Sequence, residues 1–289
     1  YKRQGVDLSQ PLTDNQIADI RAALLQWKVV FFRDQHLDHE THVRFSRYFG
    51  SPTPAHVIFG TDESHPEVYS VAKHRVANSN QLDRPQHAWT EWHTDISAAI
   101  NPPFASILRG DVVPPYGGDT QWANLAVAYQ RLSPRLQSFI DTLDVVHLYA
   151  TGDTPRSKEY HQRVDGLAMV SEHPLVTLHP ETGEKVLYVS PDFVSHIVGL
   201  TPTESRGLLD LLREHAVRTE FTVRFKWTPG AVAFWDNRAT AHLAPSDIFS
   251  TDFDRQFYRV TLVGDTPCGV DGRLSKSVSG PRIGPCQPG

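Results

Sequence analysis

The chain has 289 residues, 39% of them hydrophobic and 21% charged, which is enough to bury a sizeable core as one large domain or two small ones. A formal net charge of -5 and an isoelectric point near 6.3 argue against nucleic acid or an anionic membrane as partner, and no apolar run is long enough to cross a bilayer. The two cysteines, Cys268 and Cys286, are too few for a disulfide scaffold and lack the neighbouring ligands of a zinc site.

No signal-peptide pattern opens the chain, so a cytoplasmic enzyme is expected; because it begins with Tyr1 rather than Met, further residues are expected before it. Asp14 is expected to cap a helix to about 27, with Ile17, Ile20, Ala23, Leu24 and Trp27 at helical spacing. The run Val29-Val30-Phe31-Phe32 predicts a buried strand, and residues 39–48 a second helix ending at Gly50. A loop over 51–66 leads to a strand at 68–71, and residues 74–88 are polar and irregular. A strand over 104–113 precedes the turn Pro114-Pro115-Tyr116-Gly117-Gly118-Asp119-Thr120, followed by helices over 123–132 and 134–143. After a strand at 145–146, residues 150–172 lack periodicity and are long enough for a functional lid. The segments 175–178 and 185–189 flank a hairpin turn, and Thr201-Pro202-Thr203-Glu204 is a capping box opening a helix to about 216. Strands at 220–227, 231–235 and 256–263 close the pattern, and 265–289 is a Pro/Gly-rich tail. Together these elements predict a single α+β domain over 1–289 with a β-sandwich or barrel at its centre.

The chemistry concentrates at Trp92-His93-Thr94-Asp95. In an extended segment His93 and Asp95 point to the same side, and with a second His from elsewhere they would form a two-His-one-carboxylate site, the arrangement of non-haem Fe(II) oxygenases. A lone His-X-Asp triplet is weak, since a chain with 15 His often contains one. The candidate third ligand is His242, just beyond the Ala231–Trp235 run. Arg255 follows by 13 residues and Arg259 by four more, on one face if the strand is regular; Thr120 offers a hydroxyl after the Gly-Gly turn. Two arginines near such a site need anionic partners, because a buried unpaired guanidinium is costly.

The blocks Trp92-His-Thr-Asp, Gly117-Gly-Asp-Thr-Gln-Trp122, His173-Pro-Leu-Val, His179-Pro-Glu-Thr-Gly, Trp235-Asp-Asn-Arg-Ala-Thr-Ala-His242 and Arg255-Gln-Phe-Tyr-Arg259-Val-Thr resemble the taurine dioxygenase family of Fe(II)/2-oxoglutarate enzymes, in its alkylsulfatase-like branch. The resemblance runs from about Gly5 to Asp265, and the family's first strand would precede Tyr1. It implies a double-stranded β-helix (jelly-roll) core with flanking helices, Fe(II), 2-oxoglutarate and O2 as cofactor and co-substrates, and a homo-oligomer, dimer or tetramer. It also implies His93, Asp95 and His242 as catalytic iron ligands, and Thr120 with Arg255 as the grip on the distal carboxylate of 2-oxoglutarate. Arg259 and His56 would contact an anionic substrate, with Phe59, Trp89 and Phe193 as pocket walls. Phe59 and Trp89 stand where taurine-specific members carry a Tyr and an Asn that contact the amine. That exchange favours a substrate with an anionic head and an apolar body, such as an alkyl sulfate or a longer alkanesulfonate. The implied reaction hydroxylates the carbon next to the sulfonate or sulfate ester and releases sulfite or sulfate plus an aldehyde, with succinate and CO2. Asp95 argues against a halogenase. Two alternatives stand beside this reading: an aryloxyalkanoate-type, ether-cleaving dioxygenase acting on a carboxylate, and a non-catalytic metal-binding jelly roll.

Overall fold

The computed structural model describes residues 5–55, 64–72, 92–149, 168–191 and 193–287. Helix α1 (Asp14–Trp27) starts one residue earlier than expected: Thr13, not Asp14, is the cap, and it exchanges bonds with Gln16 in a capping box. Strand β1 (Val29–Phe32) follows, then helix α2 (His39–Arg47), capped by Asp38 and Thr41 and ending at Tyr48 rather than Gly50. Next come strands β2 (Tyr69–Ala72), β3 (Ala105–Val112) and β4 (Thr120–Asn124), and helices α3 (Leu125–Gln130) and α4 (Pro134–Ile140). Strands β5 (Asp144–Leu148), β6 (Val170–Pro174), β7 (Val176–Leu178), β8 (Lys185–Leu187) and β9 (Val194–Ile197) lead to helix α5 (Pro202–Ala216), which opens on the Thr201/Glu204 capping box. Strands β10 (Thr222–Phe225), β11 (Val232–Asp236), β12 (Thr240–Leu243), β13 (Gln256–Leu262) and β14 (Lys276–Ser279) complete the order.

Every strand pair among the described residues is antiparallel. One sheet runs β1-β11-β3-β13-β2, a second β10-β4-β12, a third β14-β6-β5-β9, and β7 pairs with β8 alone. Strand β11 accounts for the layering. Its five residues are all buried, as a continuous apolar run requires of a strand covered on both faces. Val232 and Phe234 point to α1 and α2, where Phe234 meets Phe49 at 4.9 Å between ring centroids. Ala233 and Trp235 point the other way, toward Trp122 of β4 and Phe225 of β10. Burying Phe234 alone contributes roughly 1.5–3 kcal/mol. The first two sheets thus face each other across an aromatic layer, and α5, α3 and the β7–β8 hairpin close a third cluster around Leu187, Leu209 and Leu212.

Several expectations are corrected. The helix expected over 123–132 begins only at Leu125, because 120–124 is strand β4 and Asn124 caps the helix by accepting from the Ala126 and Val127 amides. The strand expected over 220–227 is a 3-10 turn at Thr219–Phe221 followed by β10. Residues 170–172, expected to end a loop, belong to β6; residues 150–167 of the candidate lid lie outside the described residues. The tail is pinned by Asn101, whose side chain donates to Ile283 O and accepts from Ile283 N, both at 2.9 Å.

Candidate active site

His93 is tied to β12 by a reciprocal backbone pair: its N–H donates to His242 O at 2.9 Å, and its carbonyl oxygen accepts from the His242 N–H at 2.7 Å. That bridge brings the two imidazoles side by side, with ring centroids 4.2 Å apart. Asp95 then arrives through a turn rather than an extended strand, with Ile96 in the left-handed region at φ 45. The convergence expected from an extended segment is present, but a turn produces it. Thr94 does face away, its hydroxyl donating to Thr240 O at 2.9 Å. One ligand atom each from His93, Asp95 and His242 lies within 4.8 Å of the others, and all three residues are buried.

The electrostatics suit a divalent cation. Burial pushes the Asp95 carboxyl up, but Arg259, His242, His93 and the Ser106 hydroxyl outweigh it, so the group stays ionised well below the usual carboxylate range. Burial also holds His242 far below its ordinary value, with the neighbouring His93 acting in the same direction. The 3.8 Å approach of His242 Nε2 to Asp95 Oδ1 is therefore neutral imidazole beside carboxylate, not an ion pair. Two imidazoles and one carboxylate are the donors that Fe(II) oxygenases use, so the residues present fit the metal.

Beside this cluster, Arg255 immediately precedes β13, and its guanidinium stacks 3.8 Å over the Phe257 ring. It is buried, donates only to Gly118 O at 3.3 Å, and has no carboxylate partner among the described residues. Burial lowers its pKa to about 10, only partly offset by Asp247 and Asp119. Gly118 has φ +69, and a Cβ there would lie 2.9 Å from Arg255 Cδ and Nε, so glycine is what lets the arginine lie against the turn. Thr120 Oγ1 accepts from Trp227 Nε1 at 2.9 Å, which leaves the hydroxyl proton of Thr120 free to donate to a ligand. Arg259 pairs with Asp95 Oδ1, while its Nε is buried with no partner among the described residues.

One cavity joins these groups. His93, Asp95, His242, Thr120, Arg255, Arg259 and Phe193 all line it, although the β13–β3 pairing shifts register between Gln256 and Phe257. Phe193 stands edge-on to His93 at 6.4 Å and stacks on Tyr149 at 5.5 Å. His56, Phe59 and Trp89 lie outside the described residues. Tyr69, Val71 and Tyr149 are wall residues that the sequence reading missed; each sits in a short strand or at its end, with no motif around it.

A buried His-Asp-His cluster with an unmatched arginine beside it, set between antiparallel sheets, defines the Fe(II)/2-oxoglutarate-dependent dioxygenases, which require Fe(II), 2-oxoglutarate and O2. The chain belongs to the taurine catabolism dioxygenase TauD, TfdA family, whose model matches residues 1–261. It is 40% identical over 284 residues to an alpha-ketoglutarate-dependent sulfate ester dioxygenase of Pseudomonas putida, covering 95% of this chain and 89% of that protein. It is 35% identical to an alkylsulfatase of Acinetobacter baylyi, covering 94% and 84% of the two chains. A solved taurine dioxygenase from Burkholderia xenovorans superposes with a TM-score of 0.83 at 57% identity, over 96% of this chain and 90% of that one.

Proposed function

We propose that this dioxygenase hydroxylates the carbon next to a sulfate ester or sulfonate, with alkyl sulfates as the preferred class. The observation that carries this reading is the cavity itself: apart from the metal-site residues and the Arg255 and Thr120 assigned to the co-substrate, its described lining is Arg259 with aromatic and aliphatic walls. Among the described lining residues Asp95 is the only carboxylate, so a substrate ammonium would find no other acid, whereas a sulfate head finds Arg259 and an alkyl body finds Tyr69, Val71, Tyr149 and Phe193. The relatives that act on sulfate esters support the same class.

In this reading His93, Asp95 and His242 hold Fe(II), which supplies activation of O2 coupled to decarboxylation of 2-oxoglutarate. Arg255 and the Thr120 hydroxyl hold the distal carboxylate, and the Phe257 ring beneath Arg255 fixes the plane of the guanidinium. Arg259 holds the sulfate, and the Phe193–Tyr149 stack walls off water from the reacting carbon. One O2 oxygen ends in succinate and the other in the new hydroxyl. On a carbon that already carries a sulfate oxygen, that hydroxyl loses its proton as the carbon–sulfate bond breaks, giving aldehyde and sulfate. We further read the two facing sheets as a double-stranded β-helix in a single domain over 1–289, and the enzyme as a cytoplasmic homo-oligomer. The absence of any membrane-length apolar helix among the described residues is compatible with that location.

The test is substrate-dependent succinate formation with Fe(II), 2-oxoglutarate and ascorbate across alkyl sulfates, alkanesulfonates, taurine and aryloxyacetates. Coupled turnover highest with medium-chain alkyl sulfates is expected. Preference for taurine would overturn the apolar-body assignment, and phenol release from aryloxyacetates as the main activity would replace the reading with the ether-cleaving one.

A further inference from the structure

Behind the candidate metal site, a line of buried polar groups crosses three segments of chain. Trp235 Nε1 donates to Asn237 Oδ1 at 2.8 Å, Asn237 Nδ2 donates to Ser106 Oγ at 2.8 Å, and Ser106 Oγ reaches Asp95 Oδ2 at 2.6 Å. All four residues are buried, and all four polar groups are satisfied by one another. The direction of each bond follows from its ends. An indole N–H only donates, so the Asn237 amide must turn its oxygen to Trp235 and its NH2 to Ser106. A carboxylate only accepts, so the single hydroxyl proton of Ser106 goes to Asp95. The scaffold leaves little room for any other arrangement. Ser106 lies in β3, paired with Trp235 of β11 on one side and Thr261 of β13 on the other, and the Asn237 backbone N–H donates to Phe104 O at 2.8 Å.

We propose that Ser106 and Asn237 are positioning residues of the metal site. They commit Asp95 Oδ2 to the protein interior, so that Oδ1, the oxygen that faces His242 Nε2 and pairs with Arg259, is the one left to turn to a divalent cation. A carboxylate held by one oxygen offers one ligand and leaves the remaining coordination positions to 2-oxoglutarate and O2. Groups that orient ligands in this way typically change metal affinity by roughly 10–100-fold when removed. The proposal rests on the metal-site reading above.

The experiment is calorimetric titration with Co(II), a redox-stable probe, on wild type and three variants at pH 8. Melting temperatures of the metal-free proteins and the visible spectra of their Co(II) forms are recorded alongside. Ser106→Ala removes the donor and should bind Co(II) roughly 10–100-fold more weakly, with an altered ligand-field spectrum. Ser106→Thr keeps the hydroxyl and should restore both readouts. Asn237→Asp keeps the shape but turns a donor into an acceptor, so the Ser106 proton is drawn away from Asp95 and the variant should behave like Ser106→Ala with Ser106 still present. The added negative charge by itself would favour a cation, so weaker Co(II) binding in that variant reports the lost orientation rather than charge or packing. Wild-type affinity and spectrum in both Ser106→Ala and Asn237→Asp would overturn the proposal while leaving the metal site standing. Wild-type protein that binds no Co(II) would overturn the metal-site reading itself.

Discussion

Gly118→Ala separates the fold from the co-substrate site more cleanly than removal of any charged group. The added Cβ meets Arg255 at 2.9 Å, at both Cδ and Nε, in a residue already at φ +69. Two costs follow. An alanine in the left-handed region costs roughly 1–2 kcal/mol of stability. The clash is relieved not by the backbone but by the arginine, which must leave the Phe257 ring and its bond to Gly118 O. A displaced guanidinium loses charge-assisted bonds to the 2-oxoglutarate carboxylate worth roughly 1.5–3 kcal/mol, or about 10–150-fold in affinity. Gly183→Ala is the control, because that glycine also has φ +69 but nothing within 4 Å of a Cβ. Both variants should melt lower, Gly118→Ala by more because Arg255 also loses its ring and carbonyl contacts, measured by scanning calorimetry, while only Gly118→Ala raises the KM for 2-oxoglutarate, measured by succinate formation. Equal 2-oxoglutarate KM values in the two variants would refute the close-approach reasoning.

Thr120→Val removes the hydroxyl proton assigned to the co-substrate and also strands the Trp227 N–H; 2-oxoglutarate affinity should fall by roughly 1–3 kcal/mol. Thr120→Ser should recover most of it by isothermal titration, and a valine variant with unchanged affinity would remove Thr120 from the site. Arg259→Gln should cut kcat/KM for alkyl sulfates by about 10–150-fold while the KM for 2-oxoglutarate moves little; parallel loss of both would mean Arg259 serves the co-substrate instead. Acid stability offers a third check. Burial lowers His173 to about 4, although its bonds to the Ser97 and Ala99 backbone oppose that shift. The unfolded imidazole takes its proton near 6.5, so stability is complete above that pH and is lost as pH falls toward about 4, on the order of 3 kcal/mol from this residue. Urea midpoints of metal-free His173→Gln should show a shallower decline over that window than wild type; identical slopes would contradict it.

The residues assigned to the candidate metal cluster and co-substrate grip could be named from sequence because they stand in recognisable blocks. His93, Asp95, His242, Thr120, Arg255 and Arg259 were all named from sequence, and the structure gathers them on one cavity. Strands with continuous apolar runs, such as β11, were readable for the same reason. What escaped notice is structure decided by long-range pairing. Strand β12 has only four residues, Thr240–Leu243, and exists because β4 pairs with it; β4 in turn was mistaken for the start of the helix that follows. Strand β14 is exposed throughout and polar in part, and only its pairing with β6 defines it. Ser106 was invisible for a different reason. A small polar residue in a strand says nothing until Asp95 and Asn237 are found on either side of its hydroxyl. Asn237 lay within a quoted block, but its role depends on a proton direction that only the three partners together define.

The measurement that bears most directly on the whole reading is anaerobic titration of the Fe(II) protein with 2-oxoglutarate, followed by visible absorption. A new charge-transfer band is expected in wild type, absent in His242→Ala and requiring much higher 2-oxoglutarate in Arg255→Gln. No band in wild type, or a band indifferent to both substitutions, would contradict an iron site built from His93, Asp95 and His242 with its co-substrate held by Arg255.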